Sequence, residues 1–140
     1  MSMNCWVGGP GWDPAGPWTP NSKKGWRVYV KSIDMVDPGP SGTWVFLDER
    51  EDSINDGYFV VDMAGYPNQP NRWKIVDYPA SYHNKAGGFS FADGHSEIKK
   101  WRDGRIRTSM SKINRPLDVT SPNNKDVFWM QERSTRMSGP

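Results

Sequence analysis

A regular helix has little room to run in this chain, because 14 glycines and 12 prolines interrupt it. Proline removes a backbone donor and glycine is costly to order, so such density favours turns and irregular connections over long helices. Short strands joined by ordered coil are expected. The 140 residues are the usual size of one domain. Only 35% are apolar by type, yet eight Trp, five Tyr and five Phe bring large buried areas per side chain, so the expected core is small and built on rings.

Residues 1–25 are rich in Gly, Pro and Trp and read as an irregular wrap, neither helix nor strand, held to the core by its rings. WRVYVKSIDMV, 26–36, reads as a first strand passing into a turn, and DPGPSG, 37–42, breaks it. The sheet core is expected over 43–101. In TWVFLDE, 43–49, Trp44 and Phe46 lie on one face and Val45 and Leu47 on the other, which marks a central strand buried on both sides. GYFVVDM, 57–63, has the same two-sided character. Asp93-Gly94 favours a two-residue type I′ turn, setting Ala92 opposite His95, Phe91 opposite Ser96, Ser90 opposite Glu97 and Phe89 opposite Ile98. Phe89, Phe91 and Ile98 then share the core face, and His95 points outward. Residues 102–140 read as basic coil ending in an anchor, DVFWMQE, 126–132. The expected fold class is α+β, mostly β: one domain with an antiparallel sheet, long ordered coil and little helix.

The net charge of +2 is too small to imply a nucleic-acid partner. Its distribution is uneven. Residues 48–56 hold Asp48, Glu49, Glu51, Asp52 and Asp56 against Arg50, whereas 99–115 hold seven Lys and Arg against Asp103. No run approaches the length of an apolar membrane helix, and the first residues do not form a signal pattern, so the chain as written is expected to be cytoplasmic as expressed. Cys5 is the single cysteine, which excludes an internal disulfide.

Closely spaced carboxylates in an irregular loop suit calcium, which takes six to eight oxygens in flexible geometry. Asp48, Glu49, Asp52, Asn55 and Asp56 are the candidate ligands, and a solvated acidic turn is the alternative. His83 and Asp93 are candidates for a carboxylate-oriented imidazole, either catalytic or simply fastening a loop to the hairpin. With His95 they also form a candidate two-His, one-carboxylate metal set. There is no G-x-S-x-G elbow and no H-E-x-x-H helix, which disfavours a serine triad and a zinc protease. Trp6, Trp12, Trp18 and Trp26 offer sugar platforms if exposed and core plugs if not.

His83, nine residues, then Asp93-Gly94, within PASYHNKAGGFSFADGHSEIKKW, resembles the prepilin-processing-associated H-x9-D-G domain of pseudopilin-like bacterial proteins. WVFLDEREDSINDGYF, 44–59, and SPNNKDVFWMQERST, 121–135, resemble segments of the same family's C-terminal half. The resemblance implies a pseudopilin-like antiparallel sheet, an extracytoplasmic role in assembly or type II secretion, and a calcium-binding loop. Family members begin with a basic leader and an apolar helix that packs on the sheet; the sequence as written shows neither. Loss of that helix implies self-association through the uncovered face, or a cover supplied by residues 1–25. The alternative reading is a calcium-dependent hydrolase of esters or lactones, such as acyl-homoserine lactones (quorum quenching). There the cation polarises the carbonyl and His83, oriented by Asp93, helps water attack.

Overall fold

The computed structural model describes residues 1–9, 11–12, 26–54, 57–107 and 119–137. It is α+β and mostly β. Strands β1 (Ser2–Asn4), β2 (Trp44–Leu47), β3 (Tyr58–Phe59), β5 (Ala86–Phe91) and β6 (Ser96–Lys100) form one sheet in the order β3-β1-β2-β5-β6. All neighbours are antiparallel except β1 and β3. β4 (Lys74–Ile75) pairs with β7 (Val119–Thr120) in a separate ladder, and the eight-residue helix α1 spans Lys125–Glu132. No helix among the described residues is long and apolar enough to cross a membrane.

The opening residues do not only wrap. Ser2–Asn4 enters the sheet between β3 and β2, pairing Ser2 with Leu47 and Met3 with Phe46. Asn4 Nδ2 donates to Trp44 O at 2.9 Å, a buried bond that holds the short strand in register. Residues 13–25 lie outside the described residues.

β2 is central as expected, but its faces differ from strict alternation. Trp44 pairs with Phe91, Phe46 with Ser90 and Leu47 with Phe89, so Val45 is the extra residue of a bulge. The bulge turns Trp44 and Leu47 to the same inner face, 0% and 2% exposed, and leaves Phe46 40% exposed outside. Trp44 meets Phe59 and Phe89 edge to face, with centroids 5.8 and 5.5 Å apart. Phe89 in turn meets Trp101 and Trp129. Each such pair adds about 0.5–1.5 kcal/mol beyond burial.

The β5–β6 hairpin also departs from the expected register. Gly94 N donates to Phe91 O (3.0 Å) and Phe91 N to His95 O (2.9 Å), so the loop has three residues, with Gly94 left-handed at φ 92°. This is a type I turn followed by a glycine bulge. Asp93 selects it, because its carboxylate accepts the His95 backbone N–H at 3.1 Å. The one-residue slip flips β6: Ile98 pairs with Gly88 and is 82% exposed instead of joining Phe89 and Phe91.

Residues 26–36 are not a ladder strand. Trp26 and Tyr29 make single bridges to Met137 and Val7, and Ser32–Asp34 is a 3-10 turn. Tyr29 and Met35 join Val7 over Met3, Val45 and Ala92. Residues 57–63 keep only Tyr58–Phe59 in the sheet. Beyond it side chains replace the ladder: Asp77 accepts Val60 N–H at 2.7 Å, and Gln131 Nε2 donates to Asp62 O at 2.8 Å. The expected terminal anchor is α1. Asn124 caps it by accepting the N–H groups of Asp126 and Val127, and Val127 and Met130 seat it in the core.

Candidate functional site

The acidic loop is organised around a cation of its own. Arg50 is 1% exposed and forks onto Asp52, with Nε to Oδ1 at 3.0 Å and Nη2 to Oδ2 at 2.9 Å. Glu49 is also buried, accepting the Ser2 hydroxyl at 2.6 Å and the Ser53 hydroxyl at 2.9 Å. Ser53 Oγ then accepts Tyr78 N–H, which ties the loop to the segment after β4. Asp48 alone of the described carboxylates among the expected ligands is exposed; Asn55 and Asp56 lie outside the described residues. Among the described residues no three acidic or imidazole groups converge on one point. Among the described contacts, Glu49 faces a serine pair and Asp52 a guanidinium.

His83 and Asp93 are not brought together. They flank β5, whose six residues span about 17 Å. His83 starts a tight turn in which its O accepts Ala86 N–H at 3.1 Å, with Asn84 and Lys85 both left-handed. Its imidazole is exposed beside Asp48 and Tyr82. The two-His, one-carboxylate set is likewise not assembled.

Asp93 belongs instead to the hairpin tip. His95 Nδ1 meets Asp93 Oδ1, its Nε2 meets Glu97 Oε2 at 2.9 Å, and its ring stacks on Phe91 with centroids 4.4 Å apart. The hydrogen bonds to Glu97 and to Asp93 raise the imidazole pKa above its ordinary value, and His95 in turn lowers that of Asp93. With both ring nitrogens engaged, His95 is poorly placed as a base.

The basic run is partly neutralised where it is described. Lys99 lies 3.3 Å from Asp126, and Arg105 lies 2.8 Å from Asp103 and lowers its pKa. Trp6 is a core ring, 2% exposed, donating to Val61 O, while Trp12 donates to Asp62 and Trp26 meets the Tyr66 ring. Trp18 lies outside the described residues. Cys5 is fully buried and its pKa is raised strongly by that burial, so it offers no thiolate for chemistry.

The feature that sequence reasoning missed is a double hollow on the outer sheet face. One part, 270 Å³, lies over Phe46, Ser90 and Met1; the other, 430 Å³, lies over Ala86 and His83; Asp48, Gly88 and Ile98 border both. Its floor exists because Gly88 has no side chain. A Cβ at Gly87 would stand 2.8 Å from Ala80 O, so packing within the chain demands that glycine. At Gly88 the nearest atom would be Asp48 Oδ2 at an ordinary 3.5 Å, so nothing in the described chain demands it. The signal was present in the sequence: a glycine inside a strand marks a bulge or a close approach.

No family model matches the chain, and no curated protein or solved structure matches it either.

Proposed function

We propose that this chain is the globular head of a pseudopilin-like assembly protein whose outer sheet face seats an apolar helix. The observation that carries the reading is the hollow over Gly88. A strand glycine not required by internal packing leaves room for an external backbone or side chain to approach the sheet, and Phe46, Ile98 and Met1 give that room apolar walls. The upper part of the same face is covered by Tyr29 and Met35, so the opening is confined to the half nearer Met1. Met1, the residue ahead of β1, borders this opening. The role in extracytoplasmic assembly or secretion rests on the H-x9-D-G resemblance. The hydrolase alternative relied on Asp93 orienting His83, and those residues lie at opposite ends of β5.

A synthetic apolar helix of about 20 residues, long enough to cross the sheet, tests the reading. Its addition is expected to shift the NMR signals of Phe46, Gly88, Ser90 and Ile98 selectively, with a scrambled peptide as control. Gly88→Leu puts a side chain into the hollow, its Cβ at ordinary contact distance from Asp48, and is expected to weaken binding roughly tenfold, the loss of one buried contact. Shifts scattered over the surface, or binding indifferent to Gly88→Leu, would remove the helix seat.

A further inference from the structure

Among the described residues β6 is the last strand of the sheet, with β5 as its one strand neighbour. Phe91 N donates to His95 O, and Trp101 N to Lys85 O, so the odd-numbered residues of this strand turn their backbone groups toward β5. By the antiparallel alternation, Ser96, Ile98 and Lys100 direct theirs away from it. All three are exposed, Ile98 by 82%. Such an edge is a template for another strand unless its charges reject the partner.

The charges of SEIKK reject most partners but suit a second copy of themselves. An antiparallel pairing centred on Ile98 sets Ile98 opposite Ile98, Ser96 opposite Lys100 and Glu97 opposite Lys99. The backbone groups of Ser96, Ile98 and Lys100 are then the ones that exchange hydrogen bonds. Glu97 and Lys99 become the non-hydrogen-bonded pairs, in which facing side chains come closest. Both lie on the inner-face side of the strand, opposite Phe89 and Gly87. Lys99 is already held there by Asp126 at 3.3 Å and lies over Trp101 and Trp129, so little ordering remains for its ammonium. It also donates to Lys100 O at 2.9 Å, and that carbonyl keeps a second lone pair for the partner strand.

We infer that β6 is a self-complementary edge through which two copies of this chain join their sheets about a two-fold axis at Ile98. This edge adjoins the hollow, which Ile98 borders, but it joins a partner through outward backbone groups, and Phe46 on β2 lies across β5 from it. Two five-residue strands make a small interface, below about 1,200 Å², so the dimer is expected to be weak, with a dissociation constant on the order of 100 μM.

Sedimentation or light scattering over a concentration series reaching about 1 mM, well above that constant, tests the inference. Ile98→Pro removes an outward N–H and leaves the β5 ladder intact, so the fold should persist while the dimer is lost. Glu97→Lys places like charges opposite each other twice and should weaken association roughly fivefold or more. An equimolar mixture of Glu97→Lys and Lys99→Glu chains restores both opposite-charge pairs and should form heterodimers where neither variant forms homodimers well. A chain that stays monomeric throughout, or a dimer that survives Ile98→Pro, overturns the inference. So does a dimer abolished by Phe46→Asp but not by Ile98→Pro, which would place the contact on the sheet face.

Discussion

The acidic loop and the hairpin tip solve one problem in two ways. In each, a cationic side chain is gripped by carboxylate: Arg50 by Asp52, and His95 by Asp93 and Glu97. The loop pair is buried, with side chains 1% and 2% exposed, and its guanidinium stays charged at any ordinary pH. The tip is exposed, and its imidazole is cationic only while protonated. The first arrangement therefore bears on whether the domain folds, and the second only on how firmly one turn is held.

The sharpest way to break that comparison is to remove one partner from the buried pair. Arg50→Met leaves the Asp52 carboxylate desolvated without its fork and should cost about 3–5 kcal/mol, lowering the melting temperature by roughly 10 °C or more. Arg50→Met combined with Asp52→Leu should recover most of the loss, because two apolar groups no longer need each other's charge. A single variant that melts like the parent would mean that the fork contributes little.

Calcium gives a smaller and opposite check. If Arg50 and the serine hydroxyls already hold Asp52 and Glu49, calcium at about 1 mM, a level that fills weak extracellular-type sites, should leave the melting temperature of chelator-treated protein unchanged. A rise of several degrees, abolished by Asp48→Asn, would return Asp48, with Asn55 and Asp56, to the ligand set.

What was legible in the sequence follows the reach of each signal. Ring density, the Gly and Pro spacing and the two-sided character of Trp44–Leu47 are local, and they predicted a mostly β domain with β2 at its centre. The hairpin was legible but its register was not. Asp-Gly fits both a two-residue and a three-residue loop, and the choice fell to the Asp93 carboxylate and the His95 N–H. β1 was hidden because three residues show no period, and long-range contacts, its ladders to β2 and β3 and the bond from Asn4 to Trp44, fix them in the sheet. At the candidate site, spacing singled out residues without showing which side chains each would meet. His83 and Asp93 are nearly as far apart as a strand allows, while Arg50, the lone cation among the acids, is what the loop is built around.

The smallest expected effect lies at the tip, where its direction is still fixed by physics. The His95 pKa is raised in the fold, so its stabilising contacts are fully present below the ordinary imidazole value of about 6.5. They fade as pH rises through the raised folded value. The Asp93 pKa is lowered, so its share is present above the ordinary carboxylate range and is lost as pH falls through the lowered folded value. The turn is therefore held best in the mildly acidic window between the two. Imidazole NMR should place the His95 midpoint above 6.5, and Glu97→Gln should bring it down, since Glu97 is the largest contributor to the rise. A midpoint unmoved by Glu97→Gln would leave Asp93 as the sole partner. The same substitution removes the negative half of the Glu97–Lys99 match at the β6 edge, so one side chain links the titration of the tip to the pairing of two chains. Deprotonating His95 frees Glu97 from its intramolecular partner, and dimerisation should therefore strengthen slightly as pH rises through that midpoint.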